Sequence, residues 1–156
     1  LKILRKEIKL HENLFSLLLK ESDGFGYLRG SDLLKLQGEK SRCARSIGRL
    51  EKERIDLVEK IAHSWDMKSN DLTLSVIISN TTEEFSKPLQ NCFDQLKNLI
   101  GKISRIADQN SLQASGRLKS IKSSIQFMSH IQSGPPTYSD EGKIQKGTNK
   151  ISRREA

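Results

Sequence analysis

Two cysteines, three histidines and one tryptophan are all that 156 residues hold of the side chains from which most metal and redox sites are built. His11, His63 and His130 share no i, i+3 or i+4 spacing and have no cysteine close by, so no metal site is expected. Cys43 and Cys92 stand singly, each beside apolar residues at helical spacing. That setting suits small buried hydrophobes in a reducing compartment, with a disulfide between them as the alternative. No carboxylate pair, nucleophile with its base, or ligand cluster has usable spacing, so neither an enzyme nor a cofactor is expected. Gly24-Phe25-Gly26 has no strand before it and no Lys-Ser/Thr after it, which excludes a phosphate loop.

Aromatic residues are also scarce: one Trp, two Tyr and five Phe. With 35% hydrophobic and 29% charged residues, this is a poor composition for a globular α/β enzyme. It suits a helical bundle or coiled coil, whose apolar seam is narrow and whose outside is charged. No run of eighteen apolar residues occurs, so no membrane insertion is expected. The opening Leu1-Lys2-Ile3-Leu4-Arg5-Lys6-Glu7 interleaves charge with apolar groups, unlike a signal or transit peptide. It lacks a methionine, and a few residues upstream are expected.

Net charge is +8, which raises nucleic acid as a partner. The distribution argues against it. Residues 1 to 70 carry fifteen basic and eleven acidic groups, 71 to 132 seven and five, and 133 to 156 five and three. A surface that tracks phosphates segregates its cations on one face, whereas here both signs are interleaved.

The pattern that remains is helical. A wide stripe through Leu4, Ile8, Phe15 and Leu18, with a second row at Ile3, Leu10, Leu14 and Leu17, predicts a helix over 1–28 that weakens at Asp23-Gly24-Phe25-Gly26. Gly30-Ser31-Asp32 reads as a stop followed by a cap. A second helix is expected over 32–64, with an unbroken heptad at Leu33, Leu36, Lys40, Cys43, Ile47, Leu50, Arg54, Leu57 and Ile61. Residues 72–79 predict a short helix or packed connection, since no partner strand is evident for Leu72-Thr73-Leu74. Asn80 with Glu83, and Thr81 with Glu84, form overlapping capping boxes before a helix over 82–132, which starts near Ser86 or kinks at Pro88.

That last helix carries an apolar stripe for about twelve turns. Its seam runs through Phe85, Leu89, Cys92, Leu96, Leu99, Ile103, Ile106 and Asn110, then slips to Ala114, Leu118, Ile121, Ile125 and Met128. The step at Asn110 is a stutter with a polar residue in the seam, and both weaken pairing there. The first half is expected to pack on the hairpin of helices one and two, and the second half to pack less permanently. A soluble helix of this length cannot hide its whole apolar face against one short neighbour, so part of that face is available to another chain. Residues 133–156 are too polar to offset their ordering entropy and are expected to form a flexible tail. The fold class is all-α: an elongated antiparallel hairpin or coiled coil over 1–132 with a long third helix, followed by that tail.

Glu39-Lys40 with Leu50-Glu51-Lys52-Glu53-Arg54, Asn110-Ser111-Leu112-Gln113-Ala114 through Leu118, and Thr137-Tyr138 with Gly142 occur in an order and at separations that resemble the FlgN family. The resemblance covers nearly the whole chain. It implies a cytoplasmic, non-catalytic bacterial chaperone of flagellar type III export. The implied clients are the hook-filament junction proteins FlgK and FlgL, held by their helical, aggregation-prone termini. The implied client surface is Asn110, Leu112, Ala114, Leu118, Ile121, Ile125 and Met128, and the implied contact with the export gate protein FlhA is Tyr138. The residues fit such a role independently. A client helix presents its own i, i+3, i+4, i+7 face to a spare apolar stripe, and Met128 can re-pack against more than one client. The competing expectation is a coiled-coil scaffold that self-assembles through the seam of residues 33 to 61.

Overall fold

A computed structural model describes residues 1–132, together with the backbone of residues 137–138 and 144–145. The chain forms helix α1 (Lys2–Gly24), helix α2 (Gly30–Ser64), a 3-10 turn (Ser69–Asp71), helix α3 (Leu74–Ser79) and helix α4 (Glu83–Gln132). The all-α class expected from the periodicity is therefore what the chain adopts.

Three boundaries differ from those expected, each for a local reason. Helix α1 stops at Gly24 and does not reach residue 28, because Tyr27 and Leu28 both turn back to donate to the Gly24 carbonyl, at 3.1 and 3.0 Å. Gly26 supplies the positive φ of 112° that this reversal needs. The turn also folds Leu28 onto Gly24, where an added Cβ would lie 2.1 Å from Leu28 Cδ1. Second, the expected Ser31-Asp32 cap does not form. Arg29 occupies the N-cap with its carbonyl accepting from Asp32 and Leu33, and Asp32 sits in the first turn, where a negative charge favours the helix dipole. Third, the expected capping boxes before α4 are absent. Asn80 Nδ2 donates to the Val76 carbonyl at 2.9 Å and the Thr81 hydroxyl donates to the Ile77 carbonyl, so both close the end of α3. Helix α4 opens instead with the Thr82 carbonyl accepting from Phe85 and Ser86, and it continues unbroken past Pro88.

The chain divides into two compact units, Leu1–Leu112 and Gln113–Ala156. In the first, α1 and α2 form an antiparallel hairpin. Leu17 of α1 meets Leu36 and Cys43 of α2, with Leu10, Leu14 and Ile47 around them. On the other side of α1, Leu4 and Ile8 pack against Leu89 and Cys92 of α4, with Leu74, Ile77 and Ile78 of α3 at the margin. Further along, Asn110 of α4 reaches Leu18 and Glu21, so the first half of α4 runs alongside α1 in the same direction. Helix α1 is thus the central member of three.

The α2 heptad is followed closely by burial. Leu36, Cys43 and Leu50 are buried, and Leu33, Lys40, Ile47, Arg54 and Ile61 are half-buried, while Leu57 is exposed. Phe85, expected in the α4 seam, is also exposed. Cys43 and Cys92 are buried free thiols, and Cys43 Sγ donates to the Leu10 carbonyl at 3.2 Å.

In the second unit, the described part of α4 runs to Gln132. The sequence suggested no strand pairing, yet Thr137–Tyr138 and Ile144–Gln145 form a two-residue antiparallel ladder, Thr137 opposite Gln145 and Tyr138 opposite Ile144. Three of these four are β-branched or aromatic, the types that favour extended backbone. The expectation of a flexible tail otherwise lies outside the described residues.

Candidate functional site

Two features of the surface invite a partner: the apolar stripe on the C-terminal part of α4, and a cleft in the first unit above a buried carboxylate.

Every residue from 111 to 131 is exposed. Leu118, Ile121, Ile125 and Met128, spaced three and four apart, are 53 to 62% exposed and lie on one face with the exposed Ala114. Fully burying such a side chain is worth about 1.5–3 kcal/mol, so roughly half of that remains to be gained at each position. Phe127 and Ile131 are equally exposed and widen this surface; they were not among the expected residues. The signal for Ile131 was present, since it continues the stripe three residues after Met128. Leu112 is 75% exposed but lies about 120° round the helix from Leu118, off the stripe. Residues 113 to 132 contain Arg117, Lys119 and Lys122 and no Asp or Glu, with Lys122 at the edge of the stripe.

Asn110, expected at the start of the client surface, lies on the inner side of α4. It is 4% exposed, and its Nδ2 donates to the Leu18 carbonyl and to Glu21 Oε2, both at 2.9 Å. Glu21 is itself buried and accepts on its other oxygen from Gln37 Nε2 at 2.9 Å and from Lys40 Nζ at 2.6 Å. One carboxylate thus gathers donors from α2 and α4 onto α1. The seam positions of Lys40 and Asn110 were legible in the sequence, and what they bind was not. Glu21 was missed, although it continues the seven-residue row Glu7, Leu14, Glu21.

The other end of that row forms the second feature. Glu7 is 5% exposed and faces Arg54, whose Nε is 3.8 Å from Glu7 Oε1. The Glu7–Arg54 and Glu21–Lys40 pairs are fourteen residues apart on both helices, as antiparallel pairing requires. Arg54 is committed to Glu51, through Nε to Oε2 at 3.0 Å and Nη2 to Oε1, leaving Glu7 Oε1 buried with no hydrogen-bond donor. Burial pushes the Glu7 carboxyl above the usual carboxylate range, an effect that Arg54 partly offsets and Glu51 reinforces. Glu51 moves the opposite way, held down by the hydrogen bond from Arg54. Above these groups opens a cleft of about 710 Å³. Its walls are Ala44, Ile47 and Gly48 of α2 and Phe93, Leu96 and Ile100 of α4, with Leu4 and His11 of α1 at its floor. His11 Nδ1 is engaged by its own helix, donating to the Glu7 carbonyl at 2.8 Å.

Among the described residues no group of three or more His, Cys, Asp or Glu could hold a metal ion, and no helix is long and apolar enough to cross a membrane. Tyr138 contributes to the short ladder through its backbone.

Comparison with curated proteins yields no match, and comparison with solved structures yields none either. Comparison with protein families does: residues 1–146 match the family described as FlgN protein. That span takes in the three-helix unit, the exposed stripe and both short strands, and on it the chain belongs to the FlgN family, the flagellar export chaperones of hook-associated proteins.

Proposed function

We propose that the chain works in the bacterial cytoplasm, where the exposed stripe of α4 receives the helical terminal region of the hook-filament junction proteins FlgK and FlgL. Ala114, Leu118, Ile121, Ile125 and Met128 form the line of contact, with Phe127 and Ile131 beside it. Asn110 serves by holding the first half of α4 to α1, and the client does not touch it. One observation carries this reading: large apolar side chains at helical spacing remain more than half exposed. A client helix covers them by face-to-face packing. The four central side chains offer about 3–6 kcal/mol of further burial, from which ordering of the partners subtracts several kcal/mol. Such binding keeps a client from aggregating and still releases it at the export gate, where Tyr138 contacts FlhA.

Co-expression with candidate hook-associated subunits, followed by pull-down, tests the assignment. The unaltered chain retains a junction protein in a 1:1 complex, and Leu118→Asp or Ile125→Asp abolishes capture while circular dichroism stays helical. Capture that survives both substitutions places the client elsewhere. A tight self-assembly in sedimentation with no client affinity supports the scaffold reading.

A further inference from the structure

We infer that the cleft between α2 and α4 is a second docking site, independent of the stripe, for an amphipathic helix of a partner protein that carries a lysine or arginine within its apolar face. That cation donates to Glu7 Oε1.

The inference begins from the contrast between two carboxylates on one face of α1. Glu21 is enclosed by three donors, Gln37, Lys40 and Asn110, the last supplied by a third helix. Glu7 lies fourteen residues earlier on the same row, is as deeply buried, and has its cation at 3.8 Å, beyond hydrogen-bonding distance. Where Asn110 stands beside Glu21, Glu7 has the Glu51 carboxylate as its neighbour, which is an acceptor, and among the described residues Oε1 has no donor. A buried acceptor left unmade costs about 1–3 kcal/mol, and more when charged. The cleft opens at this point and only there does the row of buried carboxylates reach it.

The shape of the cleft names the class of occupant. Its walls are helices, whose backbone groups are spent on their own hydrogen bonds, so an incoming chain gains no strand pairing and must pack by side chains. Ile47, Leu74, Phe93, Leu96 and Ile100 present a long apolar trough, the position of the fourth helix in a bundle of which α1, α2 and α4 supply three. Ala44 and Gly48 stand one turn apart on the α2 wall, and a Cβ added at Gly48 meets nothing within 4 Å. A helix can therefore approach α2 closely. Charge selects its sign. Arg54 gives its hydrogen bonds to Glu51 and reaches Glu7 only through space at 3.8 Å, which leaves Glu7 Oε1 an acceptor without a hydrogen-bond donor. Burial of that carboxyl favours a proton, and a cation delivered by the partner favours the ionised form in its place.

The test uses the full chain and two fluorescent helical peptides of about sixteen residues, roughly four and a half turns. Both have leucine at i, i+3, i+4 and i+7 and glutamine outside; one carries lysine at the central apolar position and the other norleucine. Fluorescence anisotropy is expected to show the lysine peptide binding at least about tenfold more tightly, the equivalent of one charged hydrogen bond. Glu7→Gln abolishes the difference, Ala44→Trp fills the trough and likewise abolishes the lysine preference, and Ile125→Asp, which acts on the stripe, leaves that preference intact. Lys97 of α4 also lines the cleft, and Lys97→Met leaves the lysine preference intact. Should Glu7→Gln fail to fold, the carboxyl 13C resonance of Glu7 in the unaltered chain shifts with the lysine peptide and stays in place with the norleucine peptide. Equal affinity for the two peptides overturns the proposal, as does a preference that survives Glu7→Gln or is lost with Lys97→Met. Loss of binding in Ile125→Asp alone overturns it by assigning the peptide to the stripe. Self-association that closes the cleft overturns it in favour of a second copy.

Discussion

Replacing Asn110 by alanine is the sharpest test of how α4 is held to α1. The amide donates to two acceptors, the Leu18 carbonyl and Glu21 Oε2, from a position 4% exposed. Its loss removes about 0.5–1.5 kcal/mol of net stability at the carbonyl and about 1.5–3 kcal/mol at the carboxylate. The site is closed, so water does not replace the donor freely. A fall of roughly 2–4.5 kcal/mol follows, out of a total of about 5–15 kcal/mol for a small domain. Asn110→Asp is nearly isosteric but sets a second carboxylate against Glu21, and its loss should exceed that of alanine. Urea unfolding of the three proteins gives the energies. Hydrogen exchange locates them: protection falls first around residues 103 to 112 of α4, while the α1–α2 hairpin retains its protection. A loss below about 0.5 kcal/mol in both variants, or exchange that loosens the hairpin instead, would refute the account of Glu21 as the point where three helices are tied.

Four further outcomes are expected. Because the folded Glu7 carboxyl is raised above its unfolded value, the native state holds more protons, so this group's contribution falls as pH rises from about 4.3 through the folded pKa; urea midpoints between about pH 4.5 and 7 should decline less steeply in Glu7→Gln than in the unaltered chain. Glu51 works in the opposite sense, and Glu51→Gln should cost stability in full above the unfolded carboxylate pKa, the cost fading as pH falls through the depressed folded pKa. Gly116 lies within α4 with nothing within 4 Å of an added Cβ, so Gly116→Ala should stabilise by about 0.5–1 kcal/mol and raise the melting temperature; a lower value contradicts the helix at that position. Leu17→Ala, deep between α1 and α2, should cost about 2–5 kcal/mol, whereas Leu118→Ala on the open stripe should change stability by no more than about 0.5 kcal/mol, both read by chemical denaturation.

Sequence pattern carried the fold further than the sites. The α2 heptad fixed which face is buried, because a 3-4 repeat leaves one line of contact, and Leu36, Cys43 and Leu50 lie on it. Helix ends were less legible. The capping boxes at Asn80 and Thr81 used the right residue types, but the same side chains can close a preceding helix as well as open a following one, and closing α3 won. The stripe from Leu118 to Met128 was readable as a surplus of apolar face, which is a property of spacing alone. Leu112 lies about 120° away from that stripe, since adjacency in the chain is not adjacency on a helix surface. The cleft was invisible for a different reason: it depends on how α2 and α4 separate over α1, which no single helix encodes. Glu7 and Glu21 were passed over because charged residues in a stripe read as interruptions, and their meaning emerges only when Arg54 and Lys40 are set opposite them.

The two carboxylate–cation pairs of the hairpin also decide its alignment. Coiled coils tolerate sliding by one heptad, since leucine replaces leucine along the seam. Shifted seven residues in one direction, Glu7 and Glu21 would meet Ile47 and Leu33; shifted in the other, Ile61 and Ile47. Either slide strands two anions against hydrocarbon at about 3–5 kcal/mol each, comparable to everything the domain has to spare. The hairpin is a vernier with a single coincidence of its marks, and the third helix is tied to one of them through Asn110 and Glu21.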